Sequence, residues 1–438
     1  MPDSEWILEK LEASGFKAYM VGGCVRDRLM GRQIHDTDIT TDALPEQITA
    51  VFSGEKVIPT GLKHGTVTVL LSGTPYEITT FRVDGSYTDS RRPDKVEFTS
   101  DIEADLSRRD FTMNAIAMDR RGNIVDPYGG ADDIKAGVIR CVGEPERRFT
   151  EDALRILRAV RFASQLGFQI NSYTEKAMLE LRTRLDLISR ERVRDEFDKL
   201  LCGRNSTEVL LRYREIIAQI IPEMRPCFGF EQHTPYHRYD VYSHIVHSIE
   251  AVPEDDLFLR RAMFFHDIGK PPMFTLDDNG TGHFKGHAPL SAEMSLDIMK
   301  RLRYDTHTIE RTCRLIGMHS DKIKDEVQLK KKLSELGLED FCKLMEFKKA
   351  DNCAKNEFIQ ADNEIFDSYI GTARRLVREN ACLSLRQLAV NGSDIAALGV
   401  SGKDIGQVLA KLLDLVIEGS LTNDRDTLLS YAGRELIC

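Results

Sequence analysis

The chain has 438 residues, enough for roughly two to four domains. Its charged fraction of 30% and hydrophobic fraction of 42% are typical of a globular protein, and no run of 18 or more apolar residues predicts a membrane span. The net charge of −10 argues against a protein whose whole surface coats nucleic acid. None of the nine cysteines lies in a C-x-x-C pair and the N-terminus lacks a signal-peptide pattern, so we expect a reducing, cytoplasmic location without a zinc ribbon or disulfide framework.

Residues 1–140 mix short β-like runs with helices and Gly/Pro turns, which predicts an α+β head with a mixed sheet. Strands are predicted at 67–71, 76–81, 96–98 and 124–125. From Glu151 onward apolar residues recur at helical spacing, so we expect the remainder to be helical. The predicted segments are a head (1–140), a helical neck (141–205), a helical body (206–360) and a helical tail (361–438).

A glycine pair followed by two aspartates is the most informative stretch of the head. Gly22 and Gly23 follow a short apolar strand, and glycine lets the backbone turn tightly and approach a ligand. A helix predicted over 25–30 would direct free N–H groups at that turn, as phosphate-binding helix N-termini do. A strand predicted over 34–40 carries Asp36 and Asp38 on one face. Two such carboxylates can hold two Mg²⁺ ions that clamp the attacking and leaving oxygens of a phosphoryl displacement.

The next strand adds a further acidic side chain. Glu77 alternates onto the face opposite Ile78, where it could align or deprotonate the attacking hydroxyl as a third carboxylate. An exposed edge-strand glutamate explains the same position equally well. The polar run at 83–94 contains Gly and Pro without an apolar period, which predicts a mobile loop.

The segment 105–115 carries groups suited to a nucleotide. Arg109 can pair with phosphate, while Asp110 and Asn114 can hydrogen-bond to ribose hydroxyls. Without further context, the segment is also explained by a capped helix with a surface ion pair.

Residues 151–158 predict a helix on which Asp152 and Arg155 share a face at i and i+3. An aspartate accepts hydrogen bonds and an arginine only donates them. Cytosine and adenine present an amino donor beside a ring-nitrogen acceptor, whereas uracil and guanine present an acceptor and then a donor. The pair can therefore select C and A over U and G without a template, because a mismatched base leaves polar groups unpaired. The alternative is a surface salt bridge.

Histidines and aspartates gather in the helical body. His266 and Asp267 are adjacent and are followed by Gly269 and Lys270, with His244 upstream and Asp351 downstream. Mixed imidazole and carboxylate ligands suit a transition metal or Mg²⁺ that activates water. Eleven arginines between residues 140 and 194 could follow a phosphate backbone, and a solvated helix surface explains them equally.

These motifs resemble known families. Gly22-Gly23-x-Val25-Arg26-Asp27 followed by Asp36-x-Asp38 is similar to the signature of class II tRNA nucleotidyltransferases and bacterial poly(A) polymerases, in the polymerase-β-like nucleotidyltransferase superfamily. R-R-D-F-T-x-N-A at 108–115 and E-D-x-x-R-x-x-R at 151–158 resemble two further motifs of that family. The resemblance implies nucleotide-binding roles for Gly22, Gly23, Arg26, Arg109, Asp110, Asn114, Asp152, Arg155 and Arg158, and associates the 83–94 loop with the final adenosine.

The histidine pattern resembles the HD phosphohydrolase superfamily. That resemblance implies metal ligands at His244, His266, Asp267 and Asp351, with His287 and His319 as candidates for a second metal. The implied chemistry is metal-dependent hydrolysis of a phosphate ester or cyclic phosphodiester.

Together the resemblances imply template-independent addition of C, C and A to the 3′ end of tRNA from CTP and ATP, with pyrophosphate released and with a tRNA-contacting tail. Specialists that add only CC, only A or a short poly(A) tail stay open. So do an HD-type phosphohydrolase acting on RNA ends or nucleotides, and a non-catalytic tRNA-binding role.

Overall fold

The computed structural model describes residues 3–34, 36–62, 65–85, 96–361 and 363–436. The chain divides into two compact units: unit 1 comprises residues 1–223 and 301–303, and unit 2 comprises residues 224–300 and 304–438. Within the described ranges, no helix has both the length and the apolarity needed to cross a membrane. Eight cysteines in these ranges form no disulfide bond.

Unit 1 begins with a head built around a mixed seven-stranded sheet. The elements of the head are α1 (Asp3–Ala13), β1 (Ala18–Val21), α2 (Gly23–Leu29), β2 (Asp38–Thr41), α3 (Pro45–Val51), β3 (Lys56–Gly61), β4 (Thr66–Leu71), β5 (Thr74–Thr80), β6 (Arg82–Asp84), β7 (Val96–Phe98), α4 (Ile102–Ser107), β8 (Ala117–Met118) and β9 (Ile124–Val125). The strands of the sheet follow the order β3-β4-β5-β2-β1-β8-β9. β2 runs parallel to β5, and the other pairs in this sheet are antiparallel.

Side chains along β4 alternate between buried and partly exposed positions, so one face of the sheet packs against the core of the head. Val67, Val69 and Leu71 are buried in β4, while the intervening residues are partly exposed. α1 packs against β1, and it also contacts α3 and β2. A separate small cluster, centred on Val21 and Leu106, supports the end of β1 from which the glycine turn begins. The predicted α+β head with a mixed sheet is confirmed.

Two predictions for the head differ from the structure. The strand expected over 34–40 begins only at Asp38 and continues to Thr41. The predicted 83–94 loop begins inside β6, which pairs with β7. Residues 86–95, which hold most of that loop, lie outside the described residues.

The rest of unit 1 is mainly helical. Its elements are α5 (Gly130–Ala136), β10 (Val138–Ile139), α6 (Pro145–Glu151), α7 (Leu154–Leu166), β11 (Gln169–Ile170), α8 (Ser172–Glu180), α9 (Arg190–Leu201), α10 (Ser206–Arg212) and α11 (Arg214–Ile220). α7 is amphipathic and packs against α9.

In its described residues, unit 2 is mainly helical and has one short hairpin, which the sequence pattern did not predict. It contains α12 (Val241–Glu250), α13 (Leu257–Phe265), β12 (Thr275–Leu276), β13 (Gly282–His283), α14 (His287–Arg301), α15 (Thr306–Met318), α16 (Glu326–Cys353), α17 (Glu357–Gln360), α18 (Asn363–Arg378), α19 (Gly392–Ala396), α20 (Lys403–Ile417) and α21 (Arg425–Tyr431). α16 is kinked at Gly337, where φ is 74°. The last helices have their own core, which includes Ile395, Leu412 and Leu428.

Candidate functional site

The glycine turn brings three predicted residues together in the head. Gly22 has a φ of 77°, in the left-handed region that favours glycine, directly before α2. A Cβ at Gly22 would lie 3.1 Å from Arg109 Nη1 and 3.7 Å from Asp38 Oδ2. The backbone turn, a guanidinium and a carboxylate therefore meet at one point, where a methyl group would press on the guanidinium.

Asp38 and Glu77 occupy neighbouring strands at the same level. In the parallel β2–β5 pair, Asp38 is the Cα partner of Glu77, and paired residues on adjacent strands direct their side chains to the same face. Both side chains are exposed, whereas the next pair, Ile39 and Ile78, is buried on the opposite face. The register thus sets Glu77 beside Asp38, while its catalytic role stays a prediction.

Asp36 precedes β2 instead of lying in it, so the prediction that one strand presents both aspartates is wrong. The charge of Asp36 nevertheless affects the pKa of Asp38. The pKa of Asp38 is raised, mainly because surrounding atoms desolvate part of the carboxylate; Arg109 opposes this rise and the Asp36 charge adds to it. Within the described ranges, no group of three cation ligands closes around these aspartates. Magnesium binding here stays a prediction.

Four of the predicted nucleotide-binding side chains form one hydrogen-bonded chain. Arg26 Nη1 donates to Asn114 Oδ1 at 2.9 Å, and Asn114 Nδ2 donates to Asp110 Oδ1 at 3.2 Å. Arg158 Nε donates to the other Asp110 oxygen at 2.8 Å. Burial alone would raise the pKa of Asp110, but the Arg158 guanidinium holds it well below its usual range. Each polar group in the chain therefore has a fixed orientation.

The predicted helix over 151–158 is in fact broken at Asp152. α6 ends at Glu151, Asp152 is extended with φ −145° and ψ 103°, and α7 starts at Leu154. The Asp152 carboxylate accepts a hydrogen bond from the Leu154 amide at 3.0 Å, so it caps the second helix. The single helix predicted to carry both Asp152 and Arg155 is therefore wrong, because Asp152 is extended and lies before α7, joined to Arg155 by one turn in which the Arg155 N–H donates to the Asp152 carbonyl at 3.1 Å.

Arg155 and Asp152 have different partners. Arg155 is buried; its Nη1 lies 3.0 Å from Glu151 Oε2 and its Nη2 donates to the Arg108 carbonyl at 2.9 Å. Asp152 Oδ2 accepts from Arg192 Nη2 at 2.7 Å. Sequence reasoning missed both partners. The i, i+4 spacing of Glu151 and Arg155 is a visible signal, whereas nothing local indicates Arg192, 40 residues away.

Most arginines of the 140–194 region form ion pairs within unit 1. At least eight of the eleven do so: Arg140, Arg147, Arg148, Arg155, Arg158, Arg161, Arg192 and Arg194. Because Arg148 and Arg155 are buried, not all of these arginines lie on a solvated helix surface, and contact with a phosphate backbone stays a prediction.

Unit 2 brings the predicted HD ligands into one buried group. His244 lies in α12, His266 and Asp267 follow α13, and Asp351 lies in α16. The Nε2 atom of His244 is 2.9 Å from Asp351 Oδ1 and 3.3 Å from Asp267 Oδ2. His266 Nε2 is 3.1 Å from the same Asp267 oxygen. Ligands about 2.1 Å from one cation and at right angles are about 3 Å apart, which matches these separations.

A second group shares Asp267. His287 Nε2 and His319 Nε2 lie 3.4 Å and 3.6 Å from Asp267 Oδ1, and 3.1 Å from each other. In each group, one ligand atom from every residue lies within 4.8 Å of the others. Asp267 thus offers one oxygen to each, an arrangement that can bridge two cations.

Three of the histidines are oriented by the backbone. His266, His287 and His319 each place Nδ1 at 2.7 Å from the carbonyl oxygen three residues earlier. A protonated Nδ1 donating to that carbonyl leaves the Nε2 lone pair directed at the cluster. This is the tautomer that a metal ligand requires.

The cluster fits a cation on further grounds. His266 Nε2 and both Asp267 oxygens are buried, and their close contacts lack hydrogen-bond geometry. Burial alone would lower the pKa of His266, but the carboxylates of Asp267 and Asp351 raise it to about 9. A bound cation would take the place of that proton and satisfy these atoms.

A cavity of about 1050 Å³ opens onto both groups. Lys270, Lys285, Lys322, Lys348 and Lys355 line it, together with Tyr236, Phe284, Phe366 and Tyr369. Lys270 is buried, with Nζ 2.6 Å from Asp267 Oδ2. Sequence reasoning noted the Gly-Lys that follows His-Asp but gave Lys270 no role.

Three family profiles match the chain in succession. The poly A polymerase head domain matches residues 18–140, the probable RNA and SrmB-binding site of polymerase A matches residues 167–228, and the HD domain matches residues 236–356.

Curated relatives match about half of the chain. The CCA-adding enzyme of Leuconostoc mesenteroides subsp. mesenteroides is 52% identical over 221 residues, covering 50% of this chain and 55% of that protein. The CCA-adding enzyme of Geobacillus stearothermophilus is 54% identical over 197 residues, covering 45% of this chain and 48% of that protein. The chain thus spans about half the length of the curated relatives it matches.

Solved structures match over nearly the full chain. The Bacillus stearothermophilus CCA-adding enzyme in complex with CTP has a TM-score of 0.75 and 31% identity, covering 98% of this chain and 95% of that one. The Thermotoga maritima CCA-adding enzyme complexed with tRNA has a TM-score of 0.59 and 21% identity over 98% of this chain and 95% of that one, which shows a shared fold. With its matching head, RNA-binding and HD profiles, and with this full-length likeness to an enzyme of known structure, the chain belongs to the family of the CCA-adding enzymes.

Proposed function

We propose that this protein adds C, C and A to the 3′ end of tRNA from CTP and ATP in the cytoplasm, without a template. The observation that carries the proposal is the register that sets Glu77 beside Asp38, next to the Gly22 turn and Arg109. Carboxylates and a guanidinium group around a glycine turn suit a nucleoside triphosphate and the hydroxyl group that attacks it. The Bacillus stearothermophilus relative is described in complex with CTP.

In this proposal the tRNA 3′ hydroxyl attacks the α-phosphorus, a new phosphodiester bond forms and pyrophosphate leaves. Asp36 and Asp38 would hold two Mg²⁺ ions, which supply charge stabilisation at the transferring phosphoryl group. Glu77 would accept the hydroxyl proton or align the hydroxyl. Arg109 would bind phosphate oxygens, and the Arg26, Asn114, Asp110 and Arg158 chain would position the sugar.

The main test gives purified protein a tRNA that lacks its 3′ CCA end, with each nucleotide singly and with all four together. We expect C, C and then A to be added, and no longer product. Asp36→Asn should abolish addition, whereas Glu46→Gln, which removes an exposed carboxylate from α3, should not. Incorporation of C alone, A alone or long A tails would instead support one of the specialists. Retained biological function in Asp36→Asn would support a non-catalytic role.

Base choice is assigned to Asp152 and Arg155. The carboxylate would accept from the amino group of C or A, and the guanidinium would donate to the adjacent ring nitrogen. Replacing either residue by alanine should admit UTP and GTP. Arg147→Ala is the matched control, because Arg147 also pairs with Glu151 but is exposed. Strict C and A preference in both alanine variants would remove this assignment.

A second candidate function belongs to unit 2. The two ligand groups that share Asp267 favour a metal-dependent hydrolase of phosphate esters. The cation would supply an activated water there, and the mixed nitrogen and oxygen ligands favour a divalent transition metal. Titration with Mn²⁺, followed calorimetrically, should show binding that His266→Ala loses and His247→Ala keeps. His247 lies in α12 outside both groups.

The hydrolase activity is tested on bis(p-nitrophenyl) phosphate with Mn²⁺. We expect hydrolysis by the wild type and by Asp36→Asn, but not by His266→Ala. If Mn²⁺ binds and no ester is cleaved, the site holds a metal without this activity. If Asp36→Asn also abolishes hydrolysis, the activity does not belong to unit 2 alone.

A further inference from the structure

Asp152 is held by a side chain that no base-reading motif includes. Arg192, the third residue of α9, approaches the carboxylate with both terminal nitrogens: Nη2 donates to Oδ2 at 2.7 Å, and Nη1 donates to Oδ1 at 3.4 Å. Each terminal nitrogen thereby contacts a different carboxylate oxygen, as in two-point arginine–carboxylate pairs. The side chains are 26% and 15% exposed, so the pair is largely shielded from water.

The backbone around Asp152 is fixed, whereas its carboxylate needs a further contact to be fixed. Asp152 lies in the extended break between α6 and α7, where its N–H donates to the Arg148 carbonyl at 3.3 Å and its carbonyl accepts from the Arg155 N–H at 3.1 Å. Its own side chain is otherwise tied by the Leu154 amide, at Oδ1. That single hydrogen bond fixes one oxygen but leaves the carboxylate plane free to rotate. Arg192 supplies the second point that sets the plane.

The carboxylate still has capacity for a base. An ionised carboxylate has about four lone-pair positions, and Leu154 and Arg192 occupy three of them. The remaining position can accept a hydrogen from an amino group, which cytosine and adenine offer and the carbonyl groups of uracil and guanine do not. Arg192 therefore need not leave when a nucleotide binds.

We propose that Arg192 is a positioning residue for nucleotide selectivity: it fixes the plane and direction of the Asp152 carboxylate, and so sets which base edge that carboxylate accepts. The inference rests on the proposed base-reading role of Asp152. Arg192 itself touches neither the base nor the reacting atoms.

The experiment measures kcat/KM for CTP, UTP, ATP and GTP on matched tRNA ends with full-length protein. In Arg192→Ala, we expect the C-over-U and A-over-G ratios to fall at least tenfold, chiefly through better use of the wrong nucleotide. Arg192→Lys should recover part of the ratio, because an ammonium keeps the charge but loses the two-point geometry. Arg194→Ala is the matched control on α9, since Arg194 pairs with Asp195, and its ratios should equal those of the wild type.

The double variant Asp152→Ala/Arg192→Ala provides a second readout. If Arg192 acts through Asp152, the double variant should be no less selective than Asp152→Ala alone. Equal loss of kcat/KM for all four nucleotides in Arg192→Ala would overturn the proposal. So would a lower KM with unchanged selectivity, which would mean that Arg192 competes with the nucleotide.

The roles of Asp152 and Arg192 can be disproved independently of each other. If Asp152→Ala keeps wild-type selectivity, the base-reading function of Asp152 is wrong. If Asp152→Ala loses selectivity while Arg192→Ala keeps it, only the role of Arg192 is wrong. Thermal unfolding of each variant identifies a loss that comes from misfolding, and the Lys variant then decides the question.

Discussion

The Asp110 carboxylate accepts hydrogen bonds from three residues. It accepts hydrogen bonds from Asn114, from Arg158 and from the Phe111 amide at 2.8 Å. Because Asp110 is buried, a neutral replacement would leave these donors without a charged partner.

Asp110→Asn should lower the free energy of unfolding by about 3 kcal/mol at pH 7, the cost of breaking a buried ion pair. The folded-state pKa of Asp110 lies below its unfolded value of about 3.9, so the carboxylate's contribution is complete above that value. It is lost as the pH falls further toward the folded-state pKa. Thermal unfolding of the wild type and of Asp110→Asn should therefore show a difference in the free energy of unfolding at pH 7, and this difference should become smaller below about pH 4. A constant difference would contradict the ion-pair explanation.

Gly22 should be required for activity more than for stability. Gly22→Ala adds a methyl group 3.1 Å from Arg109 Nη1 at a φ of 77°, so it strains the backbone and displaces the guanidinium. Gly15→Ala carries similar strain at a φ of 88°, but nothing lies within 4 Å. We expect similar losses of stability, about 1–2 kcal/mol each, and loss of nucleotide addition only in Gly22→Ala. Equal activities would mean that the turn does not approach the substrate.

At the scale of single residues, the sequence predicts what depends on local spacing. The face on which Glu77 lies follows from alternation along β5, whereas its position beside Asp38 depends on the β2–β5 register, which is set only when the strands pair. The break at Asp152 was not predictable, since residues 151–158 contain neither Gly nor Pro and continue the helical period. It depends on a capping hydrogen bond and on Arg192, a contact made only after folding.

Helices α7 and α9 are held together where the chain leaves α9. A Cβ on Gly203 would lie 1.9 Å from Ser164 Oγ and 2.6 Å from the Ser164 carbonyl carbon. Ser164 in turn donates to the Leu200 carbonyl at 2.7 Å. The absence of a side chain at position 203 is therefore a packing requirement of this helix pair.

Gly203→Ala should destabilise unit 1 by about 1–3 kcal/mol, because the methyl group cannot be accommodated without moving α7. Gly371→Ala is the matched control: Gly371 lies within α18 with nothing inside 4 Å, so alanine should stabilise that helix by about 0.5–1 kcal/mol. Urea unfolding measures the change in the free energy of unfolding for both variants. Tolerance of alanine at position 203 would show that α7 and α9 can separate.

Element type was more predictable than element boundaries. Strong periodicity predicted the helical neck and body, and β-branched alternation predicted β4. The β12–β13 hairpin and the late start of β2 were missed, because two-residue strands and strand ends depend on pairing partners that lie elsewhere in the chain. The four predicted segments stay a prediction.

At the scale of the whole molecule, the unfolding of the two units can be followed with different spectroscopic signals. Trp6 is the only tryptophan in the sequence and lies in α1 of unit 1, packed near Phe52. The cation ligands lie in unit 2. Tryptophan fluorescence therefore reports on unit 1, while helical circular dichroism reports on both.

Mn²⁺ at 100 times its dissociation constant should stabilise the unit that binds it by about 2.7 kcal/mol. We expect a shift in the circular dichroism transition that His266→Ala loses, with the Trp6 transition unchanged. His247→Ala should shift like the wild type. An equal shift in the Trp6 signal would show that the units unfold as one cooperative body.

The histidines of unit 2 close two helices: His266 is the C-cap of α13 and His319 is the C-cap of α15. Helix carboxyl ends carry about half a negative charge, which adds to the charges of Asp267 and Asp351. At the ligand cluster this field attracts divalent ions, while the five lysines that line the cavity attract the anionic ester. The two charges thus have separate binding groups, so chelation should abolish the proposed hydrolysis while the protein keeps some affinity for phosphate.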